Sequence, residues 1–255
     1  MEKLIVGVID SGMNNLLFLN KIHNDLWFSK LIYYNVILNL EYKDYSDKRL
    51  EELSVDALDY LVANGCNVVV LLGNELVPLL KEKVAKLSIP YVILADSIIE
   101  YINFNHAQAD IAFFIRDSLV KSNIYQRHID YQHLYLVNSE RLEKAALLNE
   151  IKTDLSFALV KEELKSLAHK SYSVMAFSSI NSSAFQTEIR EFSKDVEMID
   201  AYNVVKNDLL VSLSSANFIP SRLNKVEIVK GKDNIDLEII KRLLHIKYKY
   251  IEIGE

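Results

Sequence analysis

The sequence predicts an α/β protein built on parallel sheets, and three features predict it. Apolar runs of strand length alternate with segments of helical spacing along the chain, the order that βα repeats produce. Those runs are continuous and rich in branched side chains, as strands covered on both faces require. Several open at their ends into small polar residues, which is where open parallel sheets bind ligands. At 255 residues the chain has the length of one large or two small domains, at about 150 residues per domain.

The elements follow in order. Leu4-Ile5-Val6-Gly7-Val8-Ile9 predicts a strand that ends in the turn-prone Asp10-Ser11-Gly12. A helix over 46–64 gathers Leu50, Leu53, Ala57, Leu58 and Leu61 on one face. Val68-Val69-Val70-Leu71-Leu72 is a second buried strand and opens into Gly73-Asn74. Leu76, Leu79, Leu80 and Val84 keep helical spacing until Ile89-Pro90 stops the helix and Tyr91-Val92-Ile93-Leu94 starts a further strand. Ile111-Ala112-Phe113-Phe114-Ile115 follows a polar stretch and opens a second domain. Ser173-Val174-Met175-Ala176-Phe177 is a strand that again ends in small polar residues, Ser178-Ser179. Strands 70–74 and 175–179 echo one another in this respect, although spacing alone allows coincidence. With 3 Pro and 6 Gly no linker separates the halves, so tight crossovers must join them.

Composition excludes several functions. Lys+Arg 29 against Asp+Glu 35 gives a net charge of -6, which is no electrostatic footprint for nucleic acid or an anionic membrane. The start, Met1-Glu2-Lys3-Leu4-Ile5-Val6-Gly7, enters an apolar strand with no signal-peptide anatomy, and no apolar run approaches the about 18 residues of a membrane span. A cytoplasmic protein is expected, so the sequon Asn181-Ser182-Ser183 carries little weight. One cysteine, Cys66, can form neither an internal disulfide nor a metal cluster. It precedes the buried strand and is read as an inert thiol at the wrong end of the sheet. The histidines at 23, 106, 128, 133, 169 and 245 fall outside the strand-end loops, and His128 and His133 read as helix or loop residues. Lys241-Arg242 with Lys247 and Lys249 reads as the solvated face of a C-terminal helix and strand.

The strand-end loops carry a resemblance. Val6-Gly7-Val8-Ile9-Asp10-Ser11-Gly12 resembles the opening of the glutamate racemases, with Asn14 and Asn15 where that family has two more glycines. Leu31-Ile32-Tyr33-Tyr34 through Glu41-Tyr42-Lys43 takes the place of its Tyr-Tyr-Gly-Asp and Pro-Tyr-Gly segments and keeps the tyrosines. Val69-Val70-Leu71-Leu72-Gly73-Asn74-Glu75 lies over the first catalytic loop, Ala-Cys-Asn-Thr. Ile111 to Ile129 is similar to the start of the second domain, with Ser122 and Tyr125 matching. Phe177-Ser178-Ser179-Ile180-Asn181-Ser182 falls on the second catalytic loop, Leu-Gly-Cys-Thr-His-Tyr. Glu188 to Phe192, Val196 to Asp200, Val226-Glu227-Ile228 and a helix from about Asp236 keep the register nearly to the end.

That resemblance implies two open parallel-sheet domains related by pseudo-symmetry with a cleft between them, the first spanning 1–95 plus about 206–255 and the second 96–205. It implies cofactor-independent chemistry, a possible homodimer, and peptidoglycan precursor supply as context. It also places Gly73 and Ser179 where the two catalytic cysteines stand, Asn181 at the histidine and Ile180 at the threonine. Inverting an amino acid needs an acid and a base on opposite faces of Cα, and a thiolate is a competent base at neutral pH. A glycine has no side chain, and a serine hydroxyl is too weak an acid without a neighbouring base.

The sequence therefore points first to a catalytically inactive racemase relative, a pseudoenzyme kept for binding, regulation or interaction, with racemisation absent or very weak. Asp10, Ser11, Tyr42, Asn74, Ser179 and Asn181 are its candidate residues for a small amino acid or other carboxylate. Asp10 reads equally as an acid or base and as a cap for the following helix. The alternative is a working enzyme, either a glutamate or aspartate racemase with an altered acid/base pair or one with a changed reaction that uses Asp10, Ser179 or Glu75. A third reading is an interaction protein whose cleft is filled, since Ile115, Ile180 and Glu41 are bulkier than the family's residues.

Overall fold

A computed structural model describes residues 2–36, 46–214, 218–219, 221–230 and 237–252. The chain folds as two compact units, Met1–Leu94 with Val205–Glu255, and Ala95–Val204. Unit 1 opens with β1 (Glu2–Lys3), β2 (Ile5–Asp10), β3 (Lys30–Asn35), β4 (Val68–Leu71) and β5 (Tyr91–Ile93). Unit 2 holds β6 (Ala109–Ile115), β7 (Tyr131–Asn138), β8 (Val174–Phe177) and β9 (Glu197–Met198). The chain then returns to unit 1 with β10 (Phe218–Ile219), β11 (Lys225–Lys230) and β12 (Tyr248–Glu252).

The main sheet of unit 1 runs β12-β11-β3-β2-β4-β5, and each neighbouring pair is parallel. Five of the six residues of β2 and all four of β4 are buried, which is why both read as uninterrupted apolar runs. Register aligns their ends: Asp10 pairs with Asn35, and Ile9 with Leu71. The carboxyl ends of β2, β3 and β4 therefore share one edge. Within the helix Asp47–Ala63 the five predicted face residues are all buried. Ser46 caps it by accepting from the Arg49 N–H at 3.3 Å.

Two boundaries differ from the reading of the sequence. The helix Val77–Ala85 stops before Ile89-Pro90, in a turn closed by the Leu87 N–H on the Val84 carbonyl. Leu94 begins the helix Leu94–Asn105 instead of ending the strand, so the chain enters unit 2 in a helix.

Unit 2 carries a parallel sheet ordered β7-β6-β8-β9. Edge strand β7 buries only Val137 and leaves its other residues half-buried or exposed, so it has no continuous buried apolar run to announce it. His133 lies on this strand and pairs with Asp110 at 2.7 Å, which corrects its reading as a helix or loop residue. Lys241, Arg242, Lys247 and Lys249 are exposed on the helix Leu237–Leu243 and around β12, as expected of a solvated face. Among the described residues no helix is long and apolar enough to cross a membrane.

Candidate functional site

Asp10 ends β2 and is fully buried. Its Oδ1 accepts from the Ser11 N–H at 2.9 Å and from Asn15 Nδ2 at 3.0 Å. Its Oδ2 accepts from Tyr33 Oη at 2.6 Å and from the Asn15 N–H at 3.2 Å. Burial pushes the carboxyl up to about 6; the bonds from Tyr33, Asn15 and Ser11 act against burial, and the charge of Glu75 adds to it. The Tyr33 hydroxyl is raised well above its ordinary value by burial and by the neighbouring Asp10.

Asp10 does not cap the following helix. The helix Leu17–Asp25 has Leu16 at its N-cap with no side-chain bond. Asp10 instead closes the loop before it, because the donors within reach are those of Ser11 and Asn15. That loop is fastened to the end of β4 as well, through Asn15 Nδ2 on the Leu72 carbonyl at 3.1 Å. Gly12, at φ 142°, takes a conformation that suits glycine.

Gly73 follows β4 with an ordinary backbone, φ -71° and ψ 96°. A β-carbon built on it would stand 2.5 Å from the Ser11 nitrogen and 2.9 Å from the Ser11 Cβ. Close approach, not conformation, is what requires glycine there. Asn74 and Glu75 are buried in the 3-10 turn Asn74–Leu76. Ser11 Oγ donates to Glu75 Oε2 at 2.6 Å, so Asp10, Ser11, Asn74 and Glu75 form one cluster at this edge. Tyr42 and Glu41 lie outside the described residues.

Cys66 sits at the other end of the sheet, ahead of β4, and is buried. A β-carbon built on Gly7 would meet its Sγ at 3.0 Å. Burial pushes its thiol up to about 12.

Unit 2 gathers a second polar cluster at the carboxyl ends of β6, β7 and β8. Ser179 N-caps the short helix Ile180–Ser183, accepting from the Ser182 N–H at 3.2 Å. Its Oγ lies 2.7 Å from Ser182 Oγ and donates to Glu143 Oε1 at 2.8 Å. That oxygen also accepts from Ser139 Oγ at 2.9 Å, and Oε2 lies 3.3 Å from Arg116 Nε. Asn181 and Ile180 are fully buried beside them. The reading of the sequence missed Glu143 and Arg116. The signal was an acidic residue on the buried side of the helix Glu140–Leu147, next to Leu142 and one turn from Ala146.

A cavity of about 390 Å³ in unit 1, lined by Leu4, Trp27, Leu210 and Phe218 among others, lies at the start of β2 and away from these clusters. Among the described residues no group of three or more His, Cys, Asp or Glu could hold a metal ion.

No protein-family model matches the chain. A glutamate racemase of Campylobacter concisus is 23% identical over 227 residues, 85% of this chain and 87% of that one. A glutamate racemase of Campylobacter curvus is 23% identical over 265 residues, covering 97% and 99%. Among solved structures, a glutamate racemase isoform from Bacillus anthracis superposes with a TM-score of 0.82 at 16% identity, covering 100% and 98% of the two chains. Glutamate racemase from Francisella tularensis, solved in complex with D-glutamate, superposes with a TM-score of 0.79 at 14% identity, covering 100% and 98%.

Proposed function

We propose that this chain, a divergent relative of the glutamate racemases in sequence and fold, binds a small amino acid at its strand ends and does not invert it by thiol chemistry. The observation that carries this reading is the cysteine count, which is one. Thiol-based inversion needs a sulfur on each face of Cα. The single thiol present is buried ahead of β4 and raised to about 12, so it serves neither face.

The two loops support the same reading. The resemblance puts Gly73 at one cysteine position, where the Ser11 backbone leaves no room for a side chain. It puts Ser179 at the other, where the hydroxyl is committed to Glu143 and Ser182. In this proposal Asp10, Ser11 and Asn74 are the candidate ligand residues of unit 1 and Ser179 and Asn181 those of unit 2, with Tyr42 a candidate from the sequence alone. The Francisella tularensis relative, solved with D-glutamate, supports an amino acid as the ligand class.

One observation favours an active enzyme with an altered acid/base pair. A carboxyl raised to about 6, as at Asp10, titrates near neutral pH, where general acids and bases work best. Incubating purified protein with each enantiomer of glutamate and aspartate, then resolving the products by chiral chromatography, separates the two readings. The binding reading predicts a raised melting temperature with no interconversion. Interconversion above a heat-killed control supports the altered pair, and neither effect points to a site filled by its own side chains.

A further inference from the structure

Asn35 ends β3 in register with Asp10 on β2. Parallel neighbours in register present their side chains to the same face of a sheet. Tyr33, two residues earlier on that face, reaches Asp10 with its hydroxyl. Asn35 is 1% exposed. Yet among the described residues neither its Nδ2 nor its Oδ1 has a hydrogen-bond partner. Its neighbours differ, since Asp10, Ser11, Asn15 and Tyr33 are all bonded.

Burying an amide unpaired is costly, and folded proteins pair nearly all such groups, so an orphan at a strand-end site asks for a function. We propose that Asn35 is a ligand-recognising residue of the unit 1 site and that the group it reads is a primary carboxamide, such as the side-chain amide of glutamine or asparagine. The proposal rests on the binding function proposed above and narrows its ligand class.

Complementarity makes the choice. Nδ2 donates and Oδ1 accepts. A ligand carboxylate would satisfy Nδ2 while setting an oxygen against Oδ1, and an ammonium would satisfy Oδ1 alone. A group presenting an acceptor beside a donor pairs with both, and a carboxamide does so in one planar, uncharged unit. Charge acts in the same direction, because the ionisable groups of the adjoining cluster, Asp10 and Glu75, are both acids. A neutral carboxamide meets no repulsion from them, whereas a carboxylate does.

The test is a thermal-shift comparison of wild type, Asn35→Leu and Asn35→Ala, each alone and with L-glutamine, L-asparagine, L-glutamate or L-aspartate at equal concentration. An amide should raise the wild-type melting temperature by roughly 2–4 °C at saturation, and more than its acid does. Asn35→Leu, which removes the orphan amide at similar volume, should melt higher than wild type without ligand and lose the amide shift. Asn35→Ala should lose the shift as well, which covers the case in which Leu does not fit. If the amides shift wild type and both variants alike, or the acids shift wild type and the amides do not, the proposal is overturned. If none of the four compounds moves wild type, the underlying binding function fails and takes this inference with it.

Discussion

Gly73 and Ser11 stand so close that a β-carbon on the glycine would lie 2.5 Å from the serine nitrogen. Backbone cannot yield as a flexible side-chain end does. Gly73→Ala and Gly73→Cys should therefore each cost about 1–3 kcal/mol, read as a lower denaturant midpoint at unchanged slope. By the same argument, Gly73→Cys combined with Ser179→Cys should not recover racemisation. A wild-type midpoint for either single variant would show that the Ser11 turn gives way easily.

Asp10 should titrate near pH 6, about two units above a free aspartate. Its folded value is raised, so the proton stabilises the fold. This contribution, roughly 3 kcal/mol at 1.36 kcal/mol per unit, is fully present below pH 3.8 and is lost as the pH rises through about 6. Tyr33→Phe removes a donor to the charged form and should move the titration upward. Carboxyl-carbon NMR of Asp10 in both proteins checks this, and a midpoint near 4 in wild type would contradict it.

Glu143 takes two serine hydroxyls and lies against Arg116. Glu143→Ala leaves those donors unmatched and should cost about 2–4 kcal/mol, toward the low end because Arg116 keeps some contact with water. Glu143→Gln retains an acceptor for the serines and should cost roughly half as much. Chemical denaturation of both variants orders them, and equal losses would show that shape, not hydrogen bonding, is what Glu143 supplies.

Cys66 should resist a thiol reagent such as Ellman's reagent at neutral pH until the protein unfolds, because it is buried and its thiolate is disfavoured. Modification following global unfolding kinetics is the expected result. Reaction within seconds in native buffer would place the thiol in an accessible pocket.

The buried parallel strands were legible because burial on both faces leaves an unbroken apolar signature, as in β2 and β4. Edge strand β7 was not, since Tyr131 to Asn138 are half-buried or exposed apart from Val137. At the site, Asp10 and Ser11 announced themselves as small polar residues at a strand end. Glu143 and Arg116 did not, because what joins them to Ser179 is the convergence of three strand ends distant in sequence. Asn35 was illegible for a related reason: nothing in the letters Tyr34-Asn35-Val36 tells a bonded amide from an orphan. The closeness of Gly73 to Ser11, 62 positions apart, likewise exists only in the fold.

The central claim, that this racemase-like chain does not invert amino acids through thiols, is tested most directly by proton NMR of L- and D-glutamate incubated with the wild-type protein in D₂O. Any inversion through Cα deprotonation must exchange that proton with solvent. The account predicts that the Cα signal of both enantiomers persists at the rate of a heat-denatured control. Loss of that signal with wild type, persisting after Cys66→Ser, would show Cα deprotonation by a group other than the thiol. Loss abolished by Cys66→Ser would contradict the account outright.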